Sequence, residues 1–340
     1  MKKLILLSAV LLLLAGTAVF AGGKQEPAEK AMKSESQEKP EKFTIGYASM
    51  GDVNAFHALV SQGFKIEAEK RGYDLIKVDN NWNSETTVKN IDELISQDVD
   101  IIICGLSDSA IVPVIEQKVD AAGIPLVLID NKQQGIPMFG GSNVKAGKLG
   151  GEWLGKKAVE EWGGEVDLYI GLEFPTAGEL NELRMKEGFI DGVREYVDLP
   201  DDKIVRLAGD NDIALSQQVT LDTITAHPDA ERILIGCITD DCAQGALAAV
   251  EKLDYQDKVF ICGQGFYDEV SAGNFQKPNP TAWGATVAYW PKKYAYFLFE
   301  EVGPFLENGD PLPSEWNVKH VVVTRENVDE VLAGNVENID

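Results

Sequence analysis

Short clusters of carboxylates, amides and aromatic rings stand directly behind runs of apolar, β-branched residues: Asn54, Phe56 and His57; Asp79, Asn80, Asn81 and Trp82; Ser107 and Asp108; Asp130 and Asn131. Further along the chain, Glu173, Asp210 and Asn211, Thr239 with Asp240 and Asp241, and Gln264 hold the same kind of position, and Tyr289 with Trp290 follows a late run. Planar carboxylates and amides donate and accept at fixed angles, while aromatic faces pack against C–H groups. A sugar offers both surfaces, so these residue types suit sugar binding. Asp, Asn and Thr at a strand end also serve as helix N-caps. Asp52, Asp108 and Asp241 are expected to do only that, and for Trp82 and Trp283 packing competes with ligand contact.

Covalent chemistry is poorly served. The chain has three histidines, His57, His227 and His320, with no pair at helical metal-binding spacing, and no Gly-x-Ser-x-Gly follows a strand. The glycine patch Gly140-Gly141-Ser142-Asn143, with Gly147, Gly150 and Gly151, has neither dinucleotide spacing nor a P-loop Lys-Ser/Thr pair, so its later glycines read as close helix packing. Asp240 and Asp241 are adjacent and must diverge, which makes them a poor acid-base pair. No catalytic residue, metal or cofactor is expected. A formal net charge of −24 argues against nucleic acid and against anionic lipid.

The elements that position these residues alternate. Phe43–Ala48 reads as a strand, and Phe56, Leu59, Val60, Phe64 and Ala68 mark one face of a helix that stops at Gly72. The unit repeats with Asp74–Asp79, Ile101–Gly105 and Pro125–Asp130. A short strand follows, ending near Ser142, and Val144–Trp162 is a long helix leading into a second array. There the strands are Val166–Leu172, Ile204–Ala208, Ile233–Ile238, Val259–Cys262 and Ala282–Val287, each followed by a helix, the last from Pro291 to Leu306. Lys319–Thr324 is a final strand. This is the pattern of an α/β protein with two doubly wound parallel-sheet lobes, whose ligand residues gather past the carboxyl ends of the strands.

Lys2 and Lys3 followed by the apolar stretch Leu4–Phe20 read as a signal peptide over residues 1–21, cleaved near Ala21, with a retained anchor as the alternative. Residues 22–42 carry hardly any large apolar side chain and read as a disordered leader. Of the four cysteines, Cys104, Cys237, Cys242 and Cys262, the pair Cys237 and Cys262 ends consecutive strands, so either a bridge or buried free thiols fit.

Several short motifs occur together: Asn54-Ala55-Phe56-His57 ahead of Gly63-Phe64 and Gly72-Tyr73; the run Gly123-Ile124-Pro125-Leu126-Val127-Leu128-Ile129-Asp130; Lys186-Glu187-Gly188-Phe189; Thr225-Ala226-His227-Pro228-Asp229; and Asp240 with Gly245-Ala246-Leu247. With these motifs the chain resembles the type I periplasmic sugar-binding proteins, the ribose, galactose and glucose receptors of ABC importers, from about Phe43 to Thr324. The resemblance implies two lobes, 43–142 with 289–316 and 143–288 with 317–340, joined by a hinge of several crossings. It implies that Asn54, Phe56, Asp130 and Asn131 form half of the site and Arg184, Asp240 and Gln264 the other half. His57, Trp82, Asn211, Thr239, Tyr289 and Trp290 are further candidates. The chain departs from the family pattern in having His57 for a common Phe and Asn131 for a common Arg. Arg184 stands one residue from the aligned slot, which Leu183 holds; Thr239 replaces an Asn, and Gln264 stands where several relatives have Asp. A periplasmic monomer that binds a neutral sugar and delivers it to a membrane permease and ATPase is therefore expected. A chemoreceptor is a further partner, and a receptor for an autoinducer, polyol or nucleoside feeding a chemoreceptor or sensor kinase is the alternative.

Overall fold

The computed structural model describes residues 42–333 apart from Asn54, Tyr267 and Asp268. The expected signal peptide and the expected leader up to residue 41 lie outside the described residues.

The first array runs β1 (Thr44–Ser49), α1 (Ala55–Arg71), β2 (Asp74–Asp79), α2 (Ser84–Ser96), β3 (Ile101–Gly105), α3 (Val112–Ala122), β4 (Leu126–Ile129) and β5 (Met138–Gly140). The second follows α4 (Asn143–Trp162) with β6 (Leu168–Glu173), α5 (Glu179–Arg184), a π-helical turn over Met185–Ile190, α6 (Asp191–Arg194) and β7 (Ile204–Ala208). It continues through α7 (Ile213–Ala226), β8 (Ile233–Cys237), α8 (Asp240–Leu253), β9 (Val259–Gly265), α9 (Glu269–Phe275) and β10 (Trp283–Ala288). The chain then returns through α10 (Tyr294–Asn308) and β11 (Glu315–Asn317), and ends on β12 (Val322–Thr324) and α11 (Val328–Leu332). The sheet orders are β11-β5-β4-β3-β1-β2 and β12-β10-β9-β8-β6-β7. Every pairing is parallel except that of β10 with β12. These are the two doubly wound lobes that the alternation predicts.

The inner strands β3, β4 and β8 are apolar throughout because both sheet faces are covered there, whereas the edge strands β2 and β7 carry Lys77 and Arg206; the pleat sends successive residues to opposite sides. Ile101 and Ile103 join the core under α1 and α10, while Ile102 and Cys104 join the core under α2 and α3. In the second sheet Ile233 and Ile235 pack on one side and Leu234 on the other, against Phe189 and Tyr169. The glycines of α4 allow it to lie unusually close to the segment that carries Arg184. A Cβ on Gly147 would sit 2.3 Å from the Arg184 carbonyl oxygen, and one on Gly151 would sit 2.1 Å from that of Phe189. The helical segment after β6 runs without a gap from Glu179 to Arg194, with the π turn set between α5 and α6. All four cysteines are free and buried, so Cys237 and Cys262 are not bridged.

Because β11 belongs to the first sheet and β12 to the second, the chain passes between the lobes three times. The passages are at Gly141-Ser142, at Tyr289–Lys293 and at 318–321. The third begins after Val318, whose N–H still donates to Gly140 (3.1 Å).

Candidate functional site

The turns past the strand ends of both sheets meet across one cavity of about 510 Å³. From the first lobe, Met50, Phe56, His57, Trp82, Leu106, Ser107 and Asp130 line it, with Tyr294 reaching in from α10. From the second come Asn143, Phe174, Thr176, Leu180, Arg184, Asn211, Ile238, Thr239, Gln264 and Gly265, with Tyr289 at the second crossing.

Asp130 is the carboxylate of the first wall. It follows β4 with φ 54°, a left-handed conformation that Asp tolerates and that turns the chain sharply at the strand end. Its Oδ1 accepts the Gly141 N–H (2.9 Å), and the Tyr294 hydroxyl donates at 3.2 Å. Gly140 is required beside it, since a Cβ there would lie 2.2 Å from Oδ1. The accessible edge of Asp130 faces the cavity, but protein surrounds the group on a wider scale. That burial raises its pKa above the ordinary carboxylate range, opposed by the Gly141 N–H, the Arg184 charge and Tyr294.

The second wall faces Asp130 with donors. Arg184 Nε donates to Asn143 Oδ1 (2.7 Å), and its guanidinium lies over the Tyr289 ring, 4.9 Å from the centroid. Tyr289 also donates to Asn143 Oδ1 (3.2 Å). Gln264 is 1 % exposed; its Oε1 lies 3.5 Å from the Tyr289 hydroxyl, and its Nε2 has no hydrogen-bond partner among the described residues. A buried donor without a protein partner is available to a ligand acceptor.

Aromatic rings complete the walls. Phe56 packs edge-on against both His57 and Tyr294, at 5.4 and 5.5 Å, and touches the cores of both lobes. Trp82 stands at the mouth, 43 % exposed, with the His57 ring 5.1 Å away. Burial holds the His57 imidazole below its ordinary pKa, with the Asp52 charge pulling the other way. Phe174 is fixed from behind: its N–H donates to Asn181 (3.0 Å), Asn181 donates to Glu173 (2.9 Å), and Glu173 is paired with Arg206. Glu173 is therefore a support for the wall. Thr239 both lines the cavity and caps α8, accepting the Cys242 N–H (3.3 Å), which leaves Asp241 without the capping role expected of it.

Other candidates fall elsewhere. Asn54 lies outside the described residues. Asn131 does not line the cavity; its amide donates to Ser109 (3.3 Å) and accepts from Gln133 (3.1 Å), because the left-handed turn at Asp130 directs it away. Asp240 points into the second lobe, where it accepts the Phe266 N–H (2.6 Å) and the Ser271 and Thr286 hydroxyls, so its oxygens are already engaged. Trp290 has φ 54°, packs in the second-lobe core and donates to the Lys319 carbonyl (2.7 Å). Asn80 is buried and donates to Gly105 (2.7 Å), lacing strand ends together. Sequence reasoning missed Asn143, Phe174 and Tyr294. Asn143 and Phe174 do follow strands and could have been found by that rule; Tyr294 lies within a helix and has no such signal.

Residues 45–297 match the family model of the periplasmic binding protein domain. The chain is 30% identical over 250 residues to the D-ribose/D-allose-binding protein of Pseudomonas aeruginosa, covering 69% of this chain and 73% of that one. It is 28% identical over 270 residues to the ribose import binding protein RbsB of Bacillus subtilis, covering 78% and 82%. Among solved structures, it is similar to an ABC transporter periplasmic solute-binding protein of Actinobacillus succinogenes with bound D-allose. That match has a TM-score of 0.69 at 25% identity, over 85% of this chain and 100% of that one.

Proposed function

This chain belongs to the periplasmic binding protein domain family, and on that premise we propose that it is the solute-binding component of an ABC importer, holding one small neutral sugar in the interlobe cavity. The observation that carries the reading is the chemistry of the two walls. Asp130 offers acceptors from the first lobe, Arg184 and Gln264 offer donors from the second, and Phe56, Phe174 and Tyr289 supply ring faces between them. The relatives named for D-ribose and D-allose support the same ligand class.

Binding works by closure without turnover. The lobes, 43–142 with 289–317 against 143–288 with 318–333, move about the three crossings. A ligand stabilises the closed state only by its extra contacts there. Closing expels water and strengthens each polar contact. The exported, monomeric protein then presents the closed form to a membrane permease with its ATPase, and to a chemoreceptor where one is coupled to it. A nucleoside, polyol or autoinducer is the second reading, favoured by the exposed Trp82 face at the mouth.

A thermal-shift screen of residues 22–340 against D-ribose, D-allose, other monosaccharides, polyols, nucleosides and autoinducers tests both readings. A ligand at a hundredfold its Kd adds about 2.7 kcal/mol of stability. A shift with neutral sugars supports the proposal. A shift only with another class replaces the ligand, and no shift at all removes the reading.

A further inference from the structure

His320 occupies the third crossing and is 5 % exposed. Its Nδ1 lies 3.0 Å from the Ala288 carbonyl oxygen at the end of β10, and its Nε2 accepts the Ser142 N–H at 2.9 Å. A carbonyl only accepts and a backbone N–H only donates, so the ring is the neutral tautomer protonated on Nδ1. One imidazole thereby bonds to the first passage through Ser142 and to the last residue of β10, directly ahead of the second passage, through Ala288, and itself belongs to the third. Its ring also packs against Tyr289, with centroids 4.6 Å apart at 65°. Tyr289 is the residue that carries Arg184 on its face and shares Asn143 with it. Ser142 directly precedes Asn143, so both contacts of His320 lie next to residues that line the cavity. The charged and titratable groups around the ring are Tyr289, Lys145 and Arg184, with Lys319 beside it in the chain. Both charges that act on it from outside its own segment are cations, so a second ring proton would lose the Ser142 bond and meet repulsion.

We propose that His320 is a positioning residue for ligand binding: it ties the three crossings together and thereby sets where Tyr289, Asn143 and Arg184 stand as the lobes close. The binding part of this inference rests on the sugar-binding reading; the geometric part does not. A hinge whose passages are bonded to one another has fewer lobe orientations to lose when it closes, and a ligand shifts such an equilibrium more cheaply.

The test separates the two parts. In the ligand-free chain, NMR of labelled histidine reports which ring nitrogen of His320 carries the proton. Spin labels on Lys89→Cys and Glu251→Cys report the inter-lobe distance distribution. His320→Gln keeps an acceptor for Ser142 and loses the Nδ1 donor, whereas His320→Ala loses both. The inference expects a proton on Nδ1, a broadened or shifted distribution in both variants, larger for alanine, and D-ribose or D-allose affinity falling about fivefold per hydrogen bond lost. A proton on Nε2, or the same distribution in wild type and variants, overturns it. A changed distribution with unchanged affinity overturns the role in binding. If no sugar binds the wild type, the functional reading fails while the tautomer and distances still decide the hinge. Should the alanine variant misfold, the glutamine variant and the wild-type tautomer remain decisive.

Discussion

Replacing Gln264 by methionine is predicted to move stability and binding in opposite directions. The Gln264 amide is buried, with no hydrogen-bond partner for Nε2 among the described residues and a hydroxyl contact stretched to 3.5 Å. An unsatisfied buried polar group costs about 1–3 kcal/mol. Methionine has nearly the same shape without the polar atoms, so Gln264→Met should stabilise the ligand-free protein by about 1–2 kcal/mol. With sugar present the same change removes a donor and leaves a ligand hydroxyl unpaired, a loss of about 2 kcal/mol or roughly 30-fold in Kd. At a concentration that is a hundredfold the wild-type Kd, ligand-induced stabilisation then falls from about 2.7 to about 0.9 kcal/mol. Thermal unfolding with and without sugar, alongside titration calorimetry, measures both terms. A variant less stable than wild type without ligand would show that the Gln264 amide is not left unsatisfied, and one equally stabilised by sugar would show that it does not donate to the ligand.

Three further outcomes follow from the same geometry. Burial raises the Asp130 pKa in the folded state, so its ionised form costs stability at neutral pH, and that cost disappears as pH falls through the raised pKa. Asp130→Asn, which keeps an acceptor for Gly141, should therefore raise the Tm of the ligand-free chain while weakening sugar binding at least about tenfold by calorimetry; a lowered Tm counts against it. Asp240→Ala should remove about 3 kcal/mol of stability in urea unfolding, by orphaning the Phe266 N–H and two hydroxyls, and leave the Kd of the folded fraction unchanged. A large Kd change at wild-type stability would return Asp240 to the ligand site. Burial lowers His320 from 6.5 to about 4, so its contribution is whole above pH 6.5 and is lost as pH falls toward 4, a loss of at most about 3 kcal/mol. Urea unfolding at pH 7 and pH 4.5 should show a smaller acid loss in His320→Gln than in wild type, and equal losses would exclude this source.

The lobes were legible because their inner strands, such as β3, β4 and β8, are apolar runs, and glycine stops punctuate the chain at Gly72 and Gly123, both with left-handed φ. Short edge strands were not: β11 is Glu-Trp-Asn, three residues without a periodic pattern. Within the site, residue type and strand-end position picked out Asp130 and Gln264, but direction was not readable. Asp130 and Trp290 each take a left-handed φ. That turn faces Asp130 into the cavity and Asn131 away from it; at the second crossing it leaves Tyr289 on the cavity and sends Trp290 into the core. Thr239 and Asp240 likewise part company where β8 gives way to α8, one toward the cavity and one toward Thr286. Such choices depend on backbone turns and on partners distant in the chain, such as Gly263, where a Cβ would lie 2.5 Å from the Asp240 carboxylate.

The most direct measurement is titration calorimetry of D-ribose and D-allose into residues 22–340, run side by side with Asp130→Ala. One sugar per chain should bind the wild type, and the variant should fold yet lose at least about a hundredfold in affinity, as expected when buried hydroxyls lose a charged partner. No heat with any neutral sugar, or equal affinity in the two proteins, would contradict the account.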